Sequence, residues 1–299
     1  MNTCTPYLVG NVPMKGEHCA WMESSAVVYI NGALGACTNT EGRESAGAAA
    51  LTGKIPFWGY HVPENRFGTH LVKVEREVDD ITEWGLLGYY IGEIVQERIP
   101  VLDGIRHLPN LAKLKHFGAA AASSGGVEMY HIPTLTPEAR SLEEAFGGKE
   151  PQAVLNYGQA ERRIACDNLN ARNSSNNIDY VMLGCPHYSL DQLWQVCKLL
   201  EGRRINANTA LWIFTPRALA AVADRNGYTK IIADAGGTLM SDTCSAIGQV
   251  LPRGVKVAAT DSAKQAHYLP SIMGVPTWFG TMKECIDAAI TGRWSGASA

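Results

Sequence analysis

Cys4, Cys185 and Cys244 stand in three separate, punctuated settings: CTPYLVGN, GCPHYS and SDTCSA. Each starts or follows a turn-like stretch instead of lying inside a hydrophobic stripe. Thiolates gathered from distant loops are how a chain holds iron or an iron–sulfur cluster. Position alone leaves metal ligation and plain burial both open, because no Cys-x-x-Cys pair fixes a spacing. Cys197 (LWQVCKLL) and Cys285 (MKECIDAAI) read as packing residues, since free cysteine is often buried as a small hydrophobe.

Other polar groups cluster near these thiols in sequence. His187 lies two residues past Cys185, as a ligand, an acid or base, a substrate hydrogen-bonder, or a helix-start residue satisfied by backbone. Lys264 and His267 are three apart, so on a helix they share a face. With Ser262 and the helix N-terminus they could clamp a carboxylate or phosphate; a solvated helix start is the plainer alternative. The loop GACTNTEGRES packs Thr38, Asn39, Glu41, Arg43 and Ser45 between glycines. Its guanidinium is capable of bidentate recognition, although a simply solvated loop has the same composition. No phosphate loop, no Gly-x-Gly-x-x-Gly after a strand and no nucleophile elbow is present, which argues against a nucleotide cofactor or a serine hydrolase.

The 299 residues carry a net charge of −3 with 18% charged and 46% hydrophobic residues, a soluble, globular balance. No basic tract suits a phosphate backbone, so nucleic acid is excluded as a partner. Apolar runs are far shorter than the roughly 20 residues of a membrane span. With no signal-peptide pattern and no disulfide-scaffold spacing, a reducing, cytoplasmic setting is expected.

The elements that must position these groups follow from periodicity. Helices are expected over 23–34, 45–51, 80–97, 110–121, 136–146 and 151–172, and strands over 54–61, 69–76, 100–102 and 127–132. The polar run Asn173–Asn177 reads as a linker. Beyond it the alternation is regular: strands at 178–183, 210–214, 238–241, 255–259 and 275–279, with helices at 189–201, from Arg217, up to Tyr268 and over 281–291. Such alternation predicts a parallel sheet, and ligands bind beyond the carboxyl ends of its strands. GCPH, TP, SDTC and TDSAK all fall at that edge. The expectation is an α/β protein with two lobes, residues 1–172 and 178–294.

Six ordered motifs make the chain recognisable: CTPYLVGN, GEH-x-AW-x-ESSAV, GA-x-TN-x-EGRES, GCPH, DTC and TDSAK-x-AHYLP. Together they resemble the catalytic, large-subunit part of the aconitase X family over Cys4 to about Trp294. The resemblance implies an aconitase-like fold of parallel or mixed sheets flanked by helices. It also implies a hydro-lyase that dehydrates a small hydroxy acid with iron or an iron–sulfur cluster of unspecified nuclearity. TNTEGRES looks more like the cis-3-hydroxy-L-proline branch than the mevalonate 5-phosphate branch, whose loop reads TNREGG. By resemblance Cys4, Cys185 and Cys244 are the metal ligands, and Cys37 is not among them. Asn39, Glu41, Arg43, His187, Ser262, Lys264 and His267 would face substrate, while Glu17, His18, Glu23 and Ser24 match the entry to the first helix. The family's upstream segment of roughly a hundred residues is expected to be missing. The general base belongs on a small swivel-domain partner, which leaves no catalytic base assigned in this chain. A truncated or partner-dependent, non-catalytic subunit is the rival reading.

Overall fold

The computed structural model of the chain describes residues 3–170 and 175–296. It divides into two compact units: residues 11–165, and residues 1–10 joined with 166–299. The boundary therefore falls at 165/166, ahead of the expected break at 172–178, and the first ten residues belong with the second half of the chain. Within the expected linker, Asn173 and Ser174 lie outside the described residues.

The unit 11–165 holds α1 (Ser24–Val28), which runs into a π-helical turn at Tyr29–Leu34, then α2 (Arg43–Thr52) and β1 (His70–Val74). After these come α3 (Ile81–Val95), β2 (Pro100–Asp103), α4 (Leu111–Gly125), α5 (Leu142–Ala145) and β3 (Ala153–Tyr157). β1 lies between β2 and β3, and both pairings are parallel. α3 starts where the Asp80 carboxylate accepts from Glu83 N, and buries Trp84, Leu87, Ile91 and Val95 on one face. α4 starts at Asn110, which caps Lys113 N. The two helices approach closely through Gly88, Gly92 and Gly125, and the Ser124 hydroxyl donates to Tyr89 O at 2.8 Å.

Four expectations for this unit are corrected. Residues 54–61 form no strand: Gly59 has φ +57, and the Asn39 side chain takes the backbone groups of Trp58 and Tyr60 that a ladder would need. Residues 127–132 meet β2 through a single parallel bridge, Val101 to His131, and form no named strand. The helix expected over 136–146 shrinks to α5, because Ser141, and not the stretch around Pro137, supplies the N-cap. The helix expected over 151–172 splits into β3, whose alternating burial suits a half-covered strand, and α6 (Gln159–Leu169), which crosses the unit boundary.

The other unit continues with β4 (Tyr180–Leu183), α7 (Leu190–Leu200), β5 (Ala210–Thr215), α8 (Arg217–Arg225) and α9 (Tyr228–Ala235). β6 (Thr238–Ser241), α10 (Ser245–Gly248), β7 (Ala258–Thr260), α11 (Ala263–Met273), β8 (Thr277–Phe279) and α12 (Met282–Thr291) complete it. The five strands run parallel in the order β6-β5-β4-β7-β8. All of β4 is buried, with Val181 and Leu183 in one apolar cluster and Tyr180 and Met182 in the other. A strand covered on both faces reads as a continuous apolar run, as IDYVML does. α9 ends at Gly236, in keeping with the Gly236-Gly237 pair as a helix C-cap, while α10 was not anticipated. β7 starts later than expected because the Asp179 carboxylate takes the Lys256 and Val257 N–H groups, each at 3.0 Å.

The glycine seam between α3 and α4 can be tested directly. A Cβ at Gly92 would sit 2.5 Å from Ala121 O, whereas one at Gly47 in α2 meets nothing within 4 Å. Gly92→Ala is expected to lower unfolding free energy by about 1–3 kcal/mol in urea titrations. Gly47→Ala is expected to raise it by up to about 1 kcal/mol.

Candidate active site

The strand order reverses beside β4: the chain goes outward through β5 and β6, then returns to lay β7 and β8 on the other side. A crevice at such a switch point lies beyond the carboxyl ends of the strands. Residues 184–187 leave β4 there, and residues 261–265 leave β7. Gly184 turns the chain with φ +93, and a Cβ would run into Phe214 O, so only glycine fits. The next peptide, Cys185–Pro186, is cis.

The three sequence-predicted thiols all belong to this unit. Gln265 Nε2 lies 3.1 Å from Cys185 Sγ and 3.7 Å from Cys244 Sγ, so one amide nitrogen faces both sulfurs. Cys4 Sγ accepts from the peptide N–H of His187, two residues past Cys185, at 3.3 Å. The loops are pinned by further contacts. His187 Nε2 meets Thr243 O at 2.9 Å, and since a carbonyl only accepts, this nitrogen carries the proton. Nδ1 meets the Thr3 hydroxyl at 2.8 Å, as acceptor when the ring is neutral. His187 thus ties the segment bearing Cys4 to the segment leading to Cys244, and both ring nitrogens are engaged by protein. Asp242 accepts from Arg217 N at 2.9 Å, and Tyr180 Oη meets Ser245 Oγ at 2.7 Å, fixing the Cys244 loop on both sides. Tyr188 Oη donates to Asp261 Oδ2, linking the loop after β4 to the loop after β7. Burial, reinforced by Asp261, pushes the Tyr188 hydroxyl well above its ordinary pKa, so it remains a donor.

Ser262 caps α11 by accepting from Gln265 N at 3.2 Å. Lys264 is buried in the first turn, and its ammonium lies 5.9 Å from the Tyr268 ring centroid. His267 packs against the same ring, 5.4 Å between centroids. Burial lifts Cys197 to about 11 and Cys285 well above the usual thiol range, which keeps both protonated as packing groups.

The donor chemistry of the three thiols suits iron or an iron–sulfur cluster. Gln265 Oε1 is buried beside two of them without a hydrogen-bond partner, a polar atom left for something the nook would receive. Among the described residues, however, no three His, Cys, Asp or Glu side chains are set to hold a metal ion directly. Two of the thiols face one amide nitrogen, and the third meets the peptide N–H of the adjoining loop.

Asn39, Glu41 and Arg43 belong to the unit 11–165. Their loop is held by Asn31, whose side chain pairs with Thr38 N and O at 3.0 and 2.9 Å. Buried Arg66 donates to Ala36 O and Tyr60 O and pairs with Glu138. Asn39 spends its amide on Tyr60 N (2.8 Å) and Trp58 O (3.3 Å), which makes it a brace of the neighbouring turn. Glu41 Oε1 is buried with no hydrogen-bond partner, and Arg43 opens α2 on an exposed surface. His18 and His61 share an Nδ1–Nδ1 contact of 2.9 Å. Burial, then His18, lowers the His61 pKa, against an opposing pull from Glu41. Glu23 caps α1 through Ser25 N and Ala26 N. Sequence reasoning missed Asn31, Arg66, Glu138, His61, Tyr188, Asp261 and Gln265. Only Gln265 carried a local signal, the Ser-x-x-Gln pattern at the start of α11.

The fold and these motifs define a hydro-lyase family. Residues 1–64, 68–167 and 178–291 match the first, second and third domains of aconitase X. The chain belongs to the aconitase X family and corresponds to its catalytic large-subunit part. Among its relatives, the phosphomevalonate dehydratase large subunit of Methanocaldococcus jannaschii is 41% identical over 95% of this chain and 70% of its own length. The Methanothermobacter thermautotrophicus large subunit of the same name is 43% identical, over 91% and 66%. Cis-3-hydroxy-L-proline dehydratase from Pseudomonas aeruginosa is 37% identical over 97% of this chain, which spans only 51% of that protein. The crystal structure of Thermococcus kodakaraensis aconitase X (holo-form) superposes with a TM-score of 0.85 at 32% identity, covering 96% of this chain and 72% of that one. No helix among the described residues is long and apolar enough to cross a membrane.

Replacing His187 with alanine removes the Nδ1 contact to Thr3, which ties down the Cys4 segment, and the Nε2 contact to Thr243, which anchors the ring. At about 1 kcal/mol for the hydrogen bond that the Cys4 segment loses, amide exchange at Leu8, whose N–H bonds Thr5 O, is expected to quicken about fivefold. Unchanged exchange by mass spectrometry would show that another contact holds the segment.

Proposed function

We propose that this chain is the large part of a dehydratase for a small hydroxy acid, converting cis-3-hydroxy-L-proline to Δ1-pyrroline-2-carboxylate. Cys4, Cys185 and Cys244 would hold its iron or iron–sulfur centre. The observation that carries the reading is the presence, within one unit, of two thiols on a single amide nitrogen and a third on the peptide of the adjoining loop. When bound, such a centre would supply a Lewis acid for the substrate's carboxylate and hydroxyl oxygens.

The chain's own residues would do the binding and orienting. Buried Lys264 brings a positive charge to the start of α11, where low polarity strengthens its pull on a carboxylate. Ser262 and His267 flank it, and His187 and Asn39 hold their loops in shape. Within the unit 11–165, taken by itself, Glu41 keeps a buried carboxylate oxygen with unused accepting capacity, and Arg43 carries an exposed guanidinium. The proton beside the substrate carboxylate would pass to a base on a small swivel-domain subunit, the hydroxyl would leave and together with one proton account for the water lost, and the resulting enamine would tautomerise to Δ1-pyrroline-2-carboxylate. The named large subunits among the relatives support such a partner. None of the eight cysteines is joined in a disulfide, which fits a cytoplasmic setting.

Phosphomevalonate dehydration is the second reading, favoured by the higher identity to the archaeal large subunits. Against it, Lys264 is the one Lys or Arg within Ser262–His267, and a phosphate ester asks for more positive charge.

Anaerobic reconstitution with iron, sulfide and a small swivel subunit, followed by turnover assays on both acids, separates the readings. Turnover of cis-3-hydroxy-L-proline is expected, with kcat/KM falling by about 100-fold in Lys264→Met as a charge-assisted contact is lost. Turnover of phosphomevalonate alone would establish the second reading. Turnover of neither would mark a non-catalytic subunit.

A further inference from the structure

Two helices in the unit that holds the thiols begin with Ser-x-x-Gln, and they use the glutamine differently. At α7 the box closes: Ser189 Oγ accepts from Gln192 N at 3.3 Å, and Gln192 Oε1 accepts from Ser189 N at 3.2 Å. At α11 only the first half forms, with Gln265 N on Ser262 Oγ. The returning bond is absent, because Ser262 N donates to Thr260 Oγ1 at 3.2 Å. The Gln265 side chain is thereby released from capping. It is fully buried, its amide nitrogen faces Cys185 and Cys244, and its Oε1 has no partner. A carbonyl buried without a partner is destabilising, so forgoing the cap needs a return elsewhere.

We propose that Gln265 is a positioning residue for the thiol site. Its amide donates to the sulfurs of Cys185 and Cys244 and holds them on either side of one nitrogen. Its carbonyl oxygen stays available to accept from a hydroxyl or water that enters with the ligand. N–H donors to thiolate sulfur stabilise negative charge there and raise the reduction potential of an iron–sulfur centre. This role rests on the metal-holding reading of the three cysteines.

The test has two arms. In the metal-free protein, the 15N and 1H side-chain amide signals of Gln265 are expected to shift in both Cys185→Ala and Cys244→Ala. Signals that stay put in both variants overturn the proposal without any reference to iron. In the reconstituted protein, Gln265→Met fills the same space without donors. It is expected to lose iron several-fold faster than the unaltered chain and to show a lower midpoint potential. Gln265→Glu, which sets a carboxylate against the sulfurs, is expected to load less iron still. Gln192→Met is the structural control: it breaks the closed capping box at α7 and should lower Tm while leaving iron retention and potential alone. If Gln265→Met matches the unaltered chain in iron loss and potential, or if Gln192→Met alters them equally, the positioning role is wrong. If the unaltered chain takes up no iron while the amide signals still respond to both cysteines, the hydrogen bonds stand and the cofactor reading falls.

Discussion

In the five-stranded sheet β5 and β7 lie on opposite sides of β4, so the chain leaves β4 toward one side and must later return to the other. Two crossovers that diverge in this way leave a crevice at the carboxyl ends of the strands, and no packing choice elsewhere can close it. Every group at the thiol site depends on that reversal. Cys185 follows β4, Gln265 follows β7, and Cys244 arrives from β6 through a loop held by Asp242 and Tyr180. Cys4 joins them because residues 1–10 belong to this unit, fastened through Thr3 and His187.

A crevice of this kind exposes backbone groups that must be satisfied, and the sequence does so with side chains of fixed capacity. His187 has two ring nitrogens and uses both on the chain. Tyr188 reaches Asp261, and Ser262 caps α11. Gln265 is the exception, with an amide turned toward sulfur and an oxygen left over. The same accounting in the other unit uses up Asn31, Asn39 and Arg66 and leaves a carboxylate oxygen of Glu41 unsatisfied. Glu41 and Gln265 both lie in segments that the motifs single out.

The regular half of the chain was legible because a strand buried on both faces and a helix buried on one have distinct periods. IDYVML and ALWIF became β4 and β5, and the helices that follow them began within a residue or two of their caps. The first half was harder, since backbone groups there are satisfied by distant side chains. KIPFWGYH looks like a strand until Asn39, twenty residues upstream, claims Trp58 and Tyr60. AVLNY looked helical because its partner, β1, is some eighty residues away. The placement of Cys185 and Cys244 beyond strand ends was legible from the strand–helix alternation, whereas Cys4 entered only through the motifs. The roles of Arg66, Glu138 and Tyr188 were not, because nothing local distinguishes a buried ion pair or a buried phenol from ordinary packing. Gln265 was visible only as a capping pattern, and its departure from that pattern needed coordinates.

The central claim is that Cys4, Cys185 and Cys244 act together as the ligands of an iron centre. Iron bound per chain after anaerobic reconstitution, compared between the unaltered protein and the triple Cys4/Cys185/Cys244→Ala variant, tests it most directly. Bound iron in the unaltered chain that disappears in the triple variant is the predicted result. Equal iron in both, with the fold intact by circular dichroism, would contradict it.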